Sequence, residues 1–217
     1  MTDQNFTSMR RTMVESQLRT NDINDPAVIR AILSIPREDH VPVERRATAY
    51  VDRPVPLGEG RALNPPLATA RLLVAASVSS GQKVLLIGAA TGYSAALLCA
   101  IGARVVAVES DPELAARARE LLAARPQATV VEGPLEAGFA DQAPYDILFV
   151  DGAIEVMPDT LVEQLKVRGR AVFARIEQGV TRLCMGVRSA GGFGSSAFAD
   201  IETVVLPGFE RPRDFSF

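Results

Sequence analysis

Histidine, cysteine and clustered positive charge are all scarce in this chain of 217 residues. The single histidine, His40, is too little for a zinc site or a histidine-centred catalytic triad, so no metal is expected. Cys99 and Cys184 lie in separate apolar runs, which favours buried free thiols in a reducing compartment over a disulfide framework. Lysines and arginines are scattered singly and the net charge is −3, which argues against a nucleic acid or an anionic membrane as the partner.

Long apolar runs are missing as well. No run approaches the ~20 residues that a membrane-spanning helix needs, and residues 1–12 lack the apolar centre of a signal peptide. We therefore expect a cytoplasmic protein. Because 47% of the residues are hydrophobic, the chain can bury one sizeable core, and we expect a single domain over residues 1–217.

The chain does have a regular alternation of short apolar runs and helical patterns after residue 81. Strands are predicted at 83–87, 104–108, 129–132, 145–150 and 171–176, and helices at 92–101, 112–124 and 158–165. This alternation is typical of an α/β fold in which helices cover both faces of a mostly parallel, twisted sheet. Two further strands, at 181–187 and 198–206 around a glycine turn at 191–194, are predicted to form an antiparallel pair at the sheet edge.

The first 80 residues follow a different pattern, which predicts an N-terminal helical extension. A helix is predicted at 9–18, and a second begins at Asp25-Pro26, where an N-cap residue precedes proline. Prolines then bracket a long stretch with little periodicity, from 36 to 66, which predicts an ordered and functional connection. A helix at 67–78 follows, with Asn64 as a candidate N-cap.

A glycine turn at residues 88–92 is the first candidate binding element, because it joins a predicted buried strand to a helix. Such a turn aims backbone N–H groups and the positive helix end at a ligand. Tyr93 stands where a dinucleotide fingerprint needs a small residue, and Ala90 stands at its second glycine position, so a pyrophosphate ligand fits poorly. Glu109 ends the next predicted strand about twenty residues after Gly88, where a carboxylate can accept hydrogen bonds from two ribose hydroxyls. The alternative is that Glu109 is a solvated residue before the next helix.

Several longer motifs resemble the protein-L-isoaspartate O-methyltransferases, which transfer a methyl group from S-adenosylmethionine to the carboxylate of isoaspartyl residues. The resemblance covers roughly residues 9–207. Its motifs are Met-Val-Glu-Ser-Gln-Leu at 13–18, Ile-Pro-Arg-Glu-Asp-His-Val-Pro at 35–42, Asp-Arg-Pro-Val-Pro-Leu-Gly-Glu-Gly at 52–60, and Ala-Pro-Tyr-Asp at 143–146.

This resemblance implies a Rossmann-like class I methyltransferase, with residues 1–80 as helices and a substrate-side loop and residues 81–217 as the cofactor-binding sheet. It implies S-adenosyl-L-methionine as cofactor, S-adenosyl-L-homocysteine as product, and an isoaspartyl peptide or protein as partner. The residues expected to bind the cofactor are those of the turn and of the two following strand ends: Gly88, Ala89, Ala90, Gly92, Tyr93, Glu109, Ser110, Pro134 and Leu135.

The chain departs from the family at several ligand positions. Leu86 stands where the family usually has an acidic residue, Ala90 replaces its middle glycine, and Gly-Pro-Leu at 133–135 replaces its Gly-Asp-Gly. In the substrate loop the family's Gln, Thr and Ser become Arg61, Ala62 and Asn64. Arg61 is a candidate partner for a carboxylate, although a single loop arginine is commonly solvated.

Asn64 and Asp151 are the candidate catalytic residues. Asn64 can donate to a carboxylate or simply cap the helix that follows. Asp151 follows a predicted strand, where it can accept from the cofactor's ammonium, act as a base on another acceptor, or form an Asx turn. Two functions thus remain open: an isoaspartyl-type methyltransferase with altered site residues, or a non-catalytic relative that binds S-adenosylmethionine, its demethylated product or a peptide. A nicotinamide oxidoreductase is disfavoured by Tyr93.

Overall fold

The computed structural model describes residues 3–58 and 60–211 of the chain. Its largest feature is a seven-stranded sheet with the spatial order β5-β4-β3-β6-β7-β8-β9. The strands are β3 (Lys83–Ile87), β4 (Arg104–Glu109), β5 (Ala128–Glu132), β6 (Tyr145–Ile154), β7 (Leu165–Glu177), β8 (Val180–Ser189) and β9 (Gly192–Asp200). The helices are α1 (Asp3–Met13), α2 (Pro26–Ser34), α3 (Pro66–Ala76), α4 (Tyr93–Ile101), α5 (Pro112–Leu122) and α6 (Asp159–Glu163).

The alternation predicted from the sequence is confirmed. β3 to β7 pair in parallel and are connected by crossovers that contain helices or short 3₁₀ turns, as expected for short runs rich in valine, isoleucine and leucine. β8 and β9 pair antiparallel to β7 and to each other, so the predicted edge pair is also confirmed. This arrangement brings the carboxyl ends of β3, β4 and β6 together at one edge of the sheet, where α/β proteins place ligands.

Three strands differ in extent from the prediction. β7 begins at Leu165, where the end of a helix was predicted, and that helix is limited to Asp159–Glu163. β6 runs on through Asp151, which lies inside the strand. β9 spans Gly192–Asp200, because Ser189 pairs with Gly192 and the turn is confined to Ala190 and Gly191. Residues 201–206 leave the sheet and lie beside Ala153 instead, whose N–H donates to the carbonyl of Val204 over 2.7 Å.

The N-terminal region packs across one face of the sheet. α1 continues into a π-helical turn (Val14–Leu18), and Asp25 caps α2 by accepting from the N–H groups of Ala27 and Val28, as predicted. The connection from 36 to 66 contains 3₁₀ helices at Arg37–His40 and Val43–Thr48, and a two-stranded antiparallel sheet of β1 (Val55–Gly58) and β2 (Arg61–Leu63). Glu59 of the substrate-loop motif lies outside the described residues.

Two hydrophobic clusters fill the two faces of the sheet. The first includes Leu86 and buries the N-terminal helices, whereas the second includes Leu135 and Leu206. Cys99 and Cys184 are free and buried, as predicted. Within the described residues, no helix is both long and apolar enough to cross a membrane.

Candidate functional site

The glycine turn lies at the carboxyl end of β3 and forms the N-terminus of α4. Gly88 and Gly92 have φ angles of 78° and 85°, which L-residues with side chains rarely adopt. The N–H groups of Gly88 and Ala89 both donate to the carbonyl of Val108 over 3.0 Å, which ties the turn to β4. Ala90 also has a positive φ, 48°, at the position where the family has glycine. The turn is therefore built as predicted, with one alanine in a conformation that favours glycine.

Glu109 ends β4 and points its carboxylate at this turn. Its Oε2 accepts from the N–H of Ala90 over 2.6 Å, and its Oε1 accepts from the N–H groups of Ser110 at 2.8 Å and Asp111 at 3.0 Å. The residue is 0% exposed, so the alternative of a solvated glutamate is wrong. The structure thus places a carboxylate at the turn, as the spacing from Gly88 predicts.

Arg61, the first residue of β2, forms an ion pair with Glu109. Its Nη2 donates to Oε2 over 2.9 Å and its Nη1 donates to Oε1, so the pair is bidentate. Arg61 is 7% exposed, which corrects the expectation that a single loop arginine is solvated. The hairpin of β1 and β2 carries the guanidinium to this position, 48 residues away from its partner in sequence.

Asn64 and Asp151, the two candidate catalytic residues, lie in contact. Asn64 Nδ2 donates to Oδ1 of Asp151 over 2.8 Å and to its carbonyl oxygen over 2.9 Å, while Asn64 Oδ1 accepts from the N–H of Val204. Asn64 therefore does not cap α3, because no side chain caps that helix at its N-cap, Pro65. In the first turn of α3, the N–H of Leu67 instead donates a hydrogen bond to Oδ1 of Asp52.

Asp151 is bonded on both carboxylate oxygens. Ser94 Oγ donates to Oδ2 over 2.5 Å, and Asn64 donates to Oδ1. These long-range contacts correct the expectation of a local Asx turn. Burial raises the pKa of the Asp151 carboxyl, although the hydrogen bonds from Ser94 and Asn64 oppose that rise. Asn64 and Asp151 together join the N-terminal connection, β6 and the 203–206 segment.

Tyr93 is buried between two residues of the 3₁₀ helix at Arg37–His40. The guanidinium carbon of Arg37 lies 4.9 Å from its ring centroid, and the His40 ring meets it edge-on at 5.4 Å. His40 Nδ1 lies 2.9 Å from the carbonyl oxygen of Thr91, and Thr91 Oγ1 donates to the carbonyl of His40 over 2.6 Å. Burial lowers the pKa of His40 to about 4. The Tyr93 ring therefore belongs to the packing that covers the turn.

The remaining residues expected to bind the cofactor lie at the ends of β4 and β5. Ser110 is exposed, as is Pro134, which precedes a 3₁₀ turn. Leu135 is 1% exposed and packs in the second hydrophobic cluster. Leu86, at the family's acidic position, is buried in the first cluster.

Three residues of this region were not predicted from the sequence. Leu206 covers Gly88 closely, since a Cβ on Gly88 would lie 2.9 Å from Leu206 Cδ2. Ser94 donates a hydrogen bond to the carboxylate of Asp151. Arg37 is 0% exposed and donates to the carbonyls of Ala49 and Asn64, both over 2.7 Å. Only Arg37 had a sequence signal, the Pro-Arg-Glu motif. Among residues 3–58 and 60–211, no group of three or more His, Cys, Asp or Glu residues could hold a metal ion.

Comparison with known proteins points to one family. Residues 9–191 match the profile of the family described as Protein-L-isoaspartate(D-aspartate) O-methyltransferase. A protein-L-isoaspartate O-methyltransferase of Koribacter versatilis is 40% identical over 169 residues, which cover 77% of this chain and 76% of the relative. Another, of Methylorubrum populi, is 36% identical over 199 residues, which cover 91% of this chain and 94% of the relative.

Two solved structures share the fold of this chain over most of its length. One protein-L-isoaspartate O-methyltransferase matches with a TM-score of 0.79 at 21% identity, covering 92% of this chain and 66% of that one. A structure from Plasmodium falciparum, named for the same family and solved with S-adenosyl-L-homocysteine, matches with a TM-score of 0.76 at 16% identity, covering 93% of this chain and 97% of that one. At these identities the structures show the fold alone.

Proposed function

The chain belongs to the protein-L-isoaspartate(D-aspartate) O-methyltransferase family, and on this premise we propose that it is an S-adenosylmethionine-dependent methyltransferase of isoaspartyl carboxylates. The observation that carries the proposal is the contact between Glu109 and the glycine turn, where Oε2 accepts from the N–H of Ala90 over 2.6 Å. A carboxylate held at this turn is the group that accepts hydrogen bonds from ribose hydroxyls in nucleotide-binding α/β folds.

The residue types fit the adenosyl part of this cofactor. Gly88 and Gly92 shape the turn, Glu109 faces the ribose position, and Ser110 and Pro134 are exposed at the neighbouring strand ends. In the described conformation Arg61 occupies the carboxylate of Glu109, so the guanidinium has to move before a ribose can bind there. Bound S-adenosylmethionine would supply the methyl group from its sulfonium and leave as S-adenosylhomocysteine.

The acceptor chemistry needs no general base. The ordinary pKa of a side-chain carboxyl is about 4, so an isoaspartyl carboxylate is ionised at neutral pH. The tasks of the chain are to align the acceptor oxygen with the methyl carbon and to exclude water; good alignment is worth roughly 10⁵ M or more in effective concentration. Asn64, which follows β2, and Asp151, within β6, position the substrate-side connection through the two hydrogen bonds that Asn64 donates to Asp151.

The isoaspartyl peptide or protein is the proposed partner. We also propose a cytoplasmic location, which the two buried free thiols support because such thiols suit a reducing compartment. The single-domain organisation over residues 1–217 is retained as part of the proposal.

A second candidate is a non-catalytic relative that binds S-adenosylmethionine, S-adenosylhomocysteine or a peptide. The observation that favours it is the Arg61–Glu109 ion pair. In this pair both oxygens of the carboxylate that would accept from the ribose already accept from Arg61. Leu86 and Ala90 support the same alternative, since neither supplies the polar or unhindered contact expected at its position.

Methyl transfer and ligand binding distinguish the two candidates. The protein is incubated with radiolabelled S-adenosylmethionine and a peptide that contains isoaspartate, with the matching normal aspartyl peptide as control and a characterised family member as positive control. Base-labile methyl ester on the isoaspartyl peptide alone is the expected result. Ligand binding by calorimetry without ester formation supports the binding relative, and the absence of both contradicts the two candidates together.

A further inference from the structure

The carboxylate of Glu109 has no acceptor capacity left in the described conformation. A carboxylate offers about four lone-pair sites. Those of Glu109 face six donors: two N–H groups of the Arg61 guanidinium, one backbone N–H each from Ala90, Ser110 and Asp111, and the Ser110 hydroxyl at 3.5 Å. A ribose hydroxyl can therefore bind Glu109 only after a donor has left. The three N–H groups belong to the turn and to the strand end itself, and the Ser110 hydroxyl makes a long contact of 3.5 Å, so the bidentate Arg61 guanidinium is the donor whose departure frees both carboxylate oxygens.

The rest of the turn is covered by the chain in the same conformation. Ala89, Ala90 and Thr91 are 1%, 3% and 6% exposed. His40 is hydrogen-bonded to the carbonyl and the hydroxyl of Thr91. Leu206 lies against Gly88, and its N–H donates a hydrogen bond to the carbonyl of Ala153 over 2.9 Å. The burial of Glu109 is thus part of a closed arrangement around the whole turn.

The element that carries Arg61 is small and lies outside the main sheet. β1 and β2 pair only with each other, and Gly58 and Gly60, on either side of their turn, have φ angles of 110° and 73°. Beyond the other end of β2, Asn64 is fixed by its contacts with Asp151 and Val204. Val55 and Leu63 are each 3% exposed in the first hydrophobic cluster, so the open end of the hairpin is anchored in the core. It is the Arg61 side chain that can turn away from Glu109, which leaves the Asn64 contacts intact.

We propose that Arg61 is an autoinhibitory latch, whose guanidinium takes the ribose position on Glu109 and admits the adenosyl ligand only when the Arg61 side chain turns away. This inference rests on the proposed function, since it concerns the same cofactor site. A ligand that binds only the open state has its apparent affinity reduced by the fraction of protein that is open. Removal of the latch therefore strengthens ligand binding, which is the reverse of what loss of an ordinary binding residue does.

The test is calorimetric titration with S-adenosylhomocysteine of the wild type, Arg61→Gln, Arg61→Lys and a control, Arg19→Gln. Arg19 forms an exposed ion pair with Glu15, so its substitution removes the same chemical group far from the turn. Arg61→Gln is expected to bind at least tenfold more tightly than the wild type, and Arg61→Lys, which keeps the charge but not the bidentate geometry, falls between them. Arg19→Gln is expected to match the wild type. Circular dichroism checks that each variant is folded.

The outcomes separate the latch from the function on which it rests. Equal or weaker binding by folded Arg61→Gln, with measurable binding by the wild type, overturns the latch and leaves the proposed function intact. Absence of binding to every variant at millimolar ligand contradicts both. If Arg61→Gln does not fold, the titration of Arg61→Lys decides: tighter binding than by the wild type supports the latch, and equal or weaker binding overturns it.

Discussion

Arg61 donates from Nη2 to Oε2 of Glu109 over 2.9 Å, and their side chains are 7% and 0% exposed. Such a pair is screened little by salt and depends on both partners for its stability. The same carboxylate is the group that the family resemblance assigns to the cofactor. The structure of the closed site and the stability of the fold are thus coupled through Glu109.

The first prediction concerns this coupling. Glu109→Gln leaves the buried Arg61 guanidinium without a carboxylate and is expected to lower the free energy of unfolding by about 3–5 kcal/mol. Arg61→Gln is expected to cost less, because three backbone N–H groups still bond Glu109. The free energy of unfolding of the double variant should fall by less than the sum of the losses in the two single variants, as measured by urea denaturation. Additive losses would show that the pair does not interact.

The second prediction concerns Asn64. Asn64→Ala removes two donors to Asp151 and leaves the N–H of Val204 without its acceptor, so the free energy of unfolding should fall by about 2–4 kcal/mol. Asn24→Ala is the control, because Asn24 is exposed and should change stability by less than about 0.5 kcal/mol. Equal effects of the two substitutions in denaturant titrations would rule out a structural role for Asn64.

Much of the fold could be predicted from the sequence, because each strand and helix is encoded by a local pattern. The valine-rich run of β4 and the Asp25-Pro26 start of α2 need no distant partner to be recognised. β9 was misplaced because most of its residues are glycine, alanine or serine, which give no strong strand pattern, and its position depends on pairing with β8.

The site was only partly predictable, for the opposite reason. The spacing from Gly88 located Glu109, since both residues end neighbouring strands. The environments of Arg61 and Asn64 are set by partners 48 and 87 residues away, which no local pattern encodes. Their local sequence left two alternatives open for each, a carboxylate partner or a solvated loop residue for Arg61 and a carboxylate donor or a helix cap for Asn64. The tertiary contacts decide between them.

The third prediction tests the backbone at Ala90. Because the φ angle of Ala90 is 48°, its left-handed backbone conformation costs about 1–2 kcal/mol, and glycine would avoid that cost. Two effects of glycine oppose this gain. The greater entropy of the unfolded chain destabilises the fold by about 0.4–1 kcal/mol, and the loss of a buried methyl group destabilises it by about 0.8 kcal/mol. These contributions nearly cancel, so Ala90→Gly is expected to change the free energy of unfolding by at most about 0.8 kcal/mol in either direction, with a central value near zero. Ala100→Gly, on the exposed face of α4, should lower it by about 0.5–1 kcal/mol. Equal losses for the two variants by chemical denaturation would contradict strain at Ala90.

The last prediction concerns pH. His40 is buried against Tyr93 and Thr91, and burial lowers its pKa to about 4, whereas the unfolded chain has the ordinary value of about 6.5. Between these values the unfolded state binds more protons, so stability is fully present above pH ~6.5 and is lost as pH falls towards 4. The shift corresponds to about 3 kcal/mol. His40→Phe keeps an aromatic ring beside Tyr93 but cannot titrate, so the wild type should lose stability relative to His40→Phe between pH 7 and pH ~4.5. Urea denaturation of both proteins at the two pH values measures this difference, and parallel losses would show that another group is responsible.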